Sequence, residues 1–372
     1  MKRIARLIVS ILLVSVFSSG VALSQAPGGA SVAKRKEEAA KKRMIYLTRD
    51  EVLAGAKKEG KVVTAPGYQE VTRAPLVQAF QKKYPFITNV EWRIVQDDGG
   101  EHRQVLEMQA GRSTLDAFSP HLTHYSEYLK FDPFLRYDLK AMAQDGQLQI
   151  PPDMIDETGV VTWLGTVMGG MLYHTKLVSP DKAPTAWEDC LDPQWRGKFA
   201  FDTKPRALSF LVPAWGEEKV LDFAKKLKAN EPVWSTGATA GLTRLATGEF
   251  SIYCGVMLHS AYRGLKKDPT LPLKVVVPSL LPIGLLEPEA VSAKAKNPHA
   301  GLLWIEFLAS KEGQKIADEI NPGRASVLVE GTRAYEASKG RKVSLCDPGC
   351  SSGADKFMKR IAVEAWGFPK VK

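Results

Sequence analysis

The sequence lacks a hydrophobic segment at its start long enough to hold the protein in a membrane. The apolar block Leu7–Phe17 spans eleven residues, whereas a membrane-spanning helix needs about 20. Basic residues precede this block and small residues follow it up to Ser24, which is typical of a cleavable secretory signal peptide. We therefore predict a signal peptide over residues 1–24 and a periplasmic location. Gln25, where a lipoprotein would have cysteine, argues against a lipid anchor.

Enzyme signatures are also scarce. The chain has no Gly-x4-Gly-Lys-Ser/Thr phosphate loop and no His-Glu-x-x-His zinc motif, which argues against two large classes of hydrolase. His102, His121 and His124 leave one catalytic alternative open, a secreted metal-dependent hydrolase. Our main expectation is a protein without a catalytic step.

Cysteine is sparse, with four residues in a chain of 372. Cys346 and Cys350 flank a Pro-Gly turn, so a local disulfide is plausible in an oxidising compartment. Cys190 and Cys254 lie far apart in the sequence, and either two buried thiols or a disulfide fits them. No Cys-His set has the spacing of a structural zinc site.

The excess of basic residues is concentrated at the start of the chain. Of the net charge of +10, the predicted signal peptide contributes +3 and residues 25–43 contribute +4, which leaves +3 for the rest. We therefore expect no nucleic-acid partner. Residues 25–43 are rich in Gly, Ala, Lys and Glu and are interpreted as a flexible linker.

Beyond residue 44, short apolar segments alternate with amphipathic ones, which predicts an α/β fold. Strands are predicted at 61–66, 90–95, 115–119, 159–173, 198–202, 250–257 and 274–277, and helices at 73–84, 101–111, 218–228 and 297–319.

This order predicts two lobes, each a mainly parallel sheet flanked by helices, joined by crossing hinge strands. We assign residues 44–165 and 275–345 to lobe 1 and residues 166–274 to lobe 2. Residues 346–372 are interpreted as a C-terminal extension.

Ligands of open α/β sheets bind beyond the carboxyl ends of the strands, and clefts between lobes are favoured sites. The residues that follow the predicted strands are therefore the candidates for binding a ligand. They are Tyr68, Ser119, Thr203, Arg206, Tyr262 and Arg263.

The segment GEFSIYCGVMLHSAYRGL, residues 248–265, raises a choice between a ligand site and a buried strand that enters a helix. Tyr253 lies among apolar neighbours and is interpreted as a core residue. Tyr262 follows the end of the strand, where its phenol could face a cleft. Arg263 could hold an anion or face solvent, and His259 is a weaker ligand candidate.

Six segments of the chain resemble the ferric-iron-type extracellular solute-binding proteins of ABC importers. They are AKKEGKVVTAPGYQEVTRAPLVQAFQKKYP (56–85), EMQAGRSTLDAFS (107–119), LYHTKLV (172–178), APTAWEDCLDPQWRGKFAFD (183–202), LATGEFSI (245–252) and NPHAGLLWIEFLASKEGQKIADE (297–319). The resemblance covers most of residues 56–319, and the Trp-Glu-Asp-x-Leu-Asp-Pro-x-Trp-x-Gly-Lys run is its most specific part.

The resemblance implies a monomeric, two-lobed periplasmic receptor of the type II class that closes on its ligand like a Venus flytrap. It also implies two partners at the inner membrane, an ABC permease and its ATPase. Ligand contacts made by both lobes only in the closed state would drive closure.

Iron binders of this family commonly carry paired tyrosines after the strand that corresponds to residues 250–257. Here the pair corresponds to Ala261-Tyr262, so one phenol is missing. Tyr68 is expected to supply a second phenolate, and Glu287 or a histidine a further ligand. The resemblance thus implies ferric iron, free or with a chelating anion, as transported ligand and no cofactor.

Other branches of the family bind phosphonates, carboxylates or organic amines. An anionic ligand would be suited equally well by Ser119, Thr203, Arg206, Tyr262 and Arg263, so the class of ligand stays open at this point.

Overall fold

The computed structural model describes residues 29–95 and 98–369; the predicted signal peptide lies outside these residues. The strands are β1 (Lys61–Ala65), β2 (Asn89–Trp92), β3 (Ala117–Phe118), β4 (Thr162–His174), β5 (Phe199–Asp202), β6 (Val233–Ser235), β7 (Ile252–Met257), β8 (Leu273–Val276), β9 (Leu280–Val291) and β10 (Lys342–Cys346). Their hydrogen-bonded order is β2-β1-β3-β9-β4-β7-β5-β6, with β10 beside β9 and β8 beside β4.

Helices cover both faces of this curled sheet. They are α1 (Gly29–Lys41), α2 (Arg49–Glu59), α3 (Arg73–Lys83), α4 (Asp98–Gln109), α5 (Tyr125–Phe131), α6 (Leu139–Gln144), α7 (Arg206–Ser209), α8 (Val212–Trp215), α9 (Glu217–Ala229), α10 (Ala238–Ala246), α11 (Leu258–Lys267), α12 (Pro298–Ala309), α13 (Lys311–Ile320), α14 (Arg333–Ser338) and α15 (Pro348–Arg360). Within the described ranges, no helix combines the length and apolarity required to cross a bilayer.

Two long antiparallel strands join the halves of the molecule. β4 is buried along all its residues, and its first half pairs with β9 from Thr162 opposite Glu289 to Met168 opposite Ile283. Its second half pairs with β7 and β8. On one side of this ladder β1, β2 and β3 run parallel and form the sheet of the first half. On the other side β5, β6 and β7 run parallel and form the sheet of the second half. The crossing strands are therefore β4 and β9, whereas the predicted strand 274–277 corresponds to β8, which pairs with the last residues of β4.

Each half has its own hydrophobic core. Helix α12 is the centre of the first core, because its residues from Ala300 to Ala309 are all buried. Trp304 meets Phe80 there at a ring-centroid distance of 5.0 Å. The second core surrounds Trp187, Phe199 and Phe201. Tyr253 is fully buried beside Phe250, so it lies in the core as its strand position predicts.

Both cysteine pairs form disulfides. Cys190–Cys254 crosses 64 residues inside the second half, and Cys346–Cys350 closes a local loop at the start of α15. The first bond settles the alternative that the sequence left open, in favour of a disulfide over two thiols.

Three segments differ from their predicted description. Residues 29–41, part of the predicted flexible linker, form α1, and Arg35 of this helix pairs with Asp145 at 2.7 Å. The predicted helix 297–319 is two helices, because Ser310 has extended backbone angles and its Oγ caps α13 at the amide of Gly313. The predicted C-terminal extension packs into the second core through Phe357, Ile361 and Trp366.

Candidate functional site

A cleft between the two halves contains two adjoining cavities of about 640 and 400 Å3. Arg206 and Arg324 line both cavities. The segments after β1 and β3 form one wall, with a stretch of β9 as the floor. The ends of β5 and β7 and the start of α11 form the other wall. The cleft thus lies where strand ends from both halves meet.

Glycine brings the backbone after β1 close to the floor of the cleft. The Gly67 amide donates to Oε1 of Glu289 at 2.8 Å. A Cβ atom on Gly67 would lie 2.6 Å from Oε2 of Glu287 and 2.9 Å from Oγ of Ser119. Since real Cβ atoms do not approach oxygen so closely, only glycine fits this position without displacing the two side chains.

Tyr68 follows directly and lines the larger cavity. Its hydroxyl accepts a hydrogen bond from Nε2 of Gln314 at 3.1 Å. Burial, together with the carboxylates of Glu287 and Glu289, raises the pKa of Tyr68 far above its ordinary value. The phenol is therefore protonated at neutral pH, and any metal that binds it must displace the proton.

Two carboxyl groups of β9 lie beside Gly67, since Oε1 of Glu289 accepts from its amide and Oε2 of Glu287 would lie 2.6 Å from a Cβ atom there. Glu287 has a left-handed φ of 52° and accepts a hydrogen bond from Arg324. Glu289 is completely buried, and its Oε2 has no hydrogen-bond partner among the residues described. Burial raises the pKa of Glu289 well above its usual range.

The segment after β3 contributes two polar atoms that the described protein leaves without hydrogen-bond partners, Oγ of Ser119 and Nε2 of His121. Nδ1 of His121 lies 3.2 Å from Oε1 of Glu101. Burial lowers the pKa of His121 to about 4, which leaves the imidazole neutral. Ser119 and His121 line the larger cavity, where both atoms are suited to a polar or metallic ligand.

The opposite wall offers Thr203, Arg206 and His259. The Thr203 amide donates to the Ser235 carbonyl at 2.9 Å, which holds the end of β5 beside β6. Burial, with the positive charges of Arg324, Arg263 and Arg206, lowers the pKa of His259 to about 3. Its Nδ1 has no partner within the described residues.

Tyr262 and Arg263 do not line either cleft cavity. Tyr262 lies one turn further along α11, in a separate cavity of about 460 Å3 with Arg333 and Arg341. Its ring packs so closely on Gly323 that a Cβ atom there would lie 2.9 Å away. Arg263 is exposed. The two phenols that the resemblance implies as metal ligands, Tyr68 and Tyr262, therefore line different cavities.

Of the predicted ligand residues, the cleft thus contains Tyr68, Ser119, Thr203, Arg206 and Glu287. Sequence reasoning did not predict Arg324, which lines both cavities, or Glu289, which accepts a hydrogen bond from the Gly67 amide. Both residues lie in segments without a recognisable motif. His121 and His259 carried a weak signal, since each follows a predicted strand.

The three histidines of the catalytic alternative do not come together in one cluster among the described residues. His121 lines the cleft and pairs with Glu101, whereas the rings of His102 and His124 meet at a centroid distance of 5.5 Å. Residues 349–353 spell Gly-Cys-Ser-Ser-Gly, the letters of a hydrolase nucleophile elbow, but they lie inside helix α15. A nucleophile elbow requires a sharp turn between a strand and a helix.

Comparisons with solved structures confirm the two-lobed fold class. Iron-bound HitA from Pseudomonas aeruginosa aligns with a TM-score of 0.59 and 17% identity, covering 81% of this chain and 99% of HitA. IdiA (FutA) from Trichodesmium, in complex with iron and citrate, aligns with a TM-score of 0.63 and 15% identity over 83% and 100% of the two chains. AfuA from Actinobacillus pleuropneumoniae, with fructose-6-phosphate bound, aligns with a TM-score of 0.54 and 18% identity, covering 83% of this chain and 99% of AfuA.

Sequence comparison points the same way. An uncharacterized protein of Haemophilus influenzae is 29% identical over 142 residues, which is 37% of this chain and 40% of that relative. The match therefore spans less than half of the relative's length. Residues 75–328 match the family described as bacterial extracellular solute-binding protein. Because this match covers more than half of the sequence, the chain belongs to the bacterial extracellular solute-binding protein family.

Proposed function

We propose that this protein is the periplasmic receptor of an ABC importer and that its cleft binds ferric iron, alone or as an iron–anion complex. The observation that carries the proposal is the donor set of the larger cavity. It combines the Tyr68 phenol, the Glu287 carboxylate and the unpartnered Nε2 of His121. Ferric iron is a hard, highly charged ion that favours phenolate and carboxylate oxygens.

The two arginines suit the anion of such a complex. Arg206 and Arg324 line both cavities, so an anion between them would contact residues from both halves. A citrate or carbonate carboxylate pairs well with a guanidinium. Contacts from both sides stabilise the closed state over the open one, which is how ligand binding would drive closure.

Iron binding in this cleft requires two rearrangements. The Tyr68 proton must leave, and its raised pKa makes this step costly at neutral pH. Glu287 must also exchange part of its hydrogen bond with Arg324 for the metal. The first step makes affinity fall as the solution becomes more acidic, since protons compete with the metal for the Tyr68 oxygen.

The exported location and the partners are part of the proposal. The N-terminal sequence pattern and the two disulfides suit an oxidising compartment. We infer delivery of the ligand by the monomer to a permease and its ATPase at the inner membrane. Retention of the protein in the cytoplasm, as measured by cell fractionation, would contradict this assignment.

A visible spectrum tests the ligand. Metal-free protein is titrated with ferric citrate, and binding through a phenolate produces a tyrosinate-to-iron absorption band. We expect the band to disappear in Tyr68→Phe and to persist in Tyr262→Phe, a matched phenol outside the cleft. A band that survives in Tyr68→Phe, or is lost only in Tyr262→Phe, would show that the ligand assignment is wrong.

A small organic anion, such as a phosphonate or a carboxylate, is the second candidate. Two arginines in the same cavity, Arg206 and Arg324, favour it, and Thr203 lines this cavity as well. The structural neighbour AfuA contains a sugar phosphate. If ferric citrate gives no absorption band, thermal stabilisation by phosphonates or dicarboxylates, lost in Arg324→Gln, would support this candidate.

A further inference from the structure

A cluster of metal-ligating side chains lies outside the cleft, on the surface of the first half. His102, His124 and Glu127 each offer one ligand atom, and these atoms all lie within 4.8 Å of one another. We propose that these three residues bind a divalent transition-metal ion, with zinc as the reference ion. This site is separate from the cleft, because none of the three residues lines either cavity.

Local structure places the ligands on facing elements. His124 ends a short 3-10 turn, residues 122–124, and Glu127 follows three positions later in the first turn of α5, so both lie on one face. His102 extends from α4, and its ring meets the His124 ring at a centroid distance of 5.5 Å. The site therefore bridges two separate segments.

A buried hydrogen-bond network holds these segments together. Gln104 on α4 donates to the Tyr128 hydroxyl on α5 at 2.8 Å and to the Ser119 carbonyl at 2.9 Å. Gln104 and Tyr128 are both buried. Gln104 lies two positions after His102, and Tyr128 directly follows Glu127. Contacts of neighbouring residues thus fix the backbone that carries the site, which lowers the entropy cost of assembling it.

The donor set indicates which metals would bind. Two imidazole nitrogens and one carboxylate oxygen suit zinc, nickel or copper better than magnesium or calcium, which prefer oxygen donors alone. Nδ1 of His124 lies 2.8 Å from Oε1 of Glu127, so a metal would replace the proton that these atoms share.

The position of the site links it physically to the cleft wall. Glu101 directly precedes His102, and His121 lies three residues before His124. Both Glu101 and His121 line the larger cavity. A bound metal would clamp α4 to the 3-10 turn immediately behind this wall. The site would then stabilise the wall whichever ligand the cleft takes, so the inference does not depend on ferric iron.

Calorimetry of the purified full chain tests the site. Metal-free protein is titrated with zinc chloride, and we expect one zinc per chain with an affinity in the micromolar range. His102→Ala, His124→Ala and Glu127→Gln should each weaken binding tenfold or more. His299→Gln is the matched control, since His299 pairs with Glu59 at 2.6 Å on the surface elsewhere, and it should bind zinc like the parent.

A second titration separates this site from the cleft. Protein loaded with ferric citrate should bind zinc with unchanged stoichiometry and affinity, whereas zinc binding that disappears would place the ion in the cleft and overturn the proposal. Equal zinc affinity in the parent and all three variants, or no zinc binding by the parent, would overturn it as well. Circular dichroism of each variant checks that the fold is retained.

Discussion

The Arg324 guanidinium donates a hydrogen bond to the Glu287 carboxylate in the larger cavity of the cleft. The Glu287 side chain is 8% exposed and that of Arg324 is 21% exposed, so the pair is largely shielded from water. Removing one member of such a pair leaves a poorly solvated charge, which usually costs more than the intact pair contributes.

The first prediction concerns this ion pair. Arg324→Gln should lower the free energy of unfolding by about 2–3 kcal/mol, and Glu287→Gln in addition should restore part of it. Urea denaturation of the parent, both single variants and the double variant gives the coupling free energy between the two side chains. Arg196→Gln, which breaks the exposed pair with Glu231, is the control and should have no measurable effect. Additive losses in the double variant would contradict a coupled pair.

The second prediction concerns acid stability. Burial lowers the pKa of His121 to about 4 and that of His259 to about 3, whereas an unfolded histidine titrates near 6.5. The unfolded chain therefore binds protons first as pH falls, so stability is full above about pH 6.5 and declines below it. Each imidazole should account for roughly 2 kcal/mol lost by about pH 4.5.

Urea denaturation at several pH values measures this decline. His121→Gln and His259→Gln each remove one of the two groups, so each should flatten the dependence of stability on pH between 6.5 and 4.5. An unchanged slope in both variants would show that these imidazoles are hydrated in the folded protein.

The strand pattern allowed the sequence to place most of the cleft. Tyr68, Ser119 and Thr203 follow short apolar segments, and parallel strands bring their carboxyl ends to one edge. Strand β9 was missed because Pro282 and Pro288 interrupt it, and proline normally weakens a strand prediction. Its long pairing with β4 overrides that local preference.

Tyr262 shows what the sequence could not supply. Its position just after β7 suggested the cleft, but Tyr262 packs on Gly323, from a turn more than 60 residues later in the chain. The same turn brings Arg324 into the cleft. Sequence periodicity does not predict such a contact, because it depends on how the loop after α13 pairs with β4, where the Thr166 amide donates to the Arg324 carbonyl.

The third prediction compares the two disulfides. On the chain-entropy model, closing 64 residues contributes about 4 kcal/mol, whereas closing a loop of four residues contributes about 2 kcal/mol. Replacing Cys190 and Cys254 by alanine should therefore destabilise the protein more than replacing Cys346 and Cys350. Denaturation midpoints without reductant test the order, and equal or reversed losses would contradict it.

The last prediction concerns the close approach at Gly67. A methyl group there would meet Oε2 of Glu287 and Oγ of Ser119 at less than 3 Å, so Gly67→Ala must displace two of the cleft's polar side chains. Since a ligand needs these groups within about 0.5 Å of their productive positions, ferric citrate affinity should fall tenfold or more.

Gly353→Ala is the matched control, because a Cβ atom there meets nothing within 4 Å and Gly353 lies in helix α15. The control should bind ferric citrate like the parent and be slightly more stable, since alanine favours a helix over glycine. Equal affinity in both variants would show that Glu287 and Ser119 do not set the shape of the binding site.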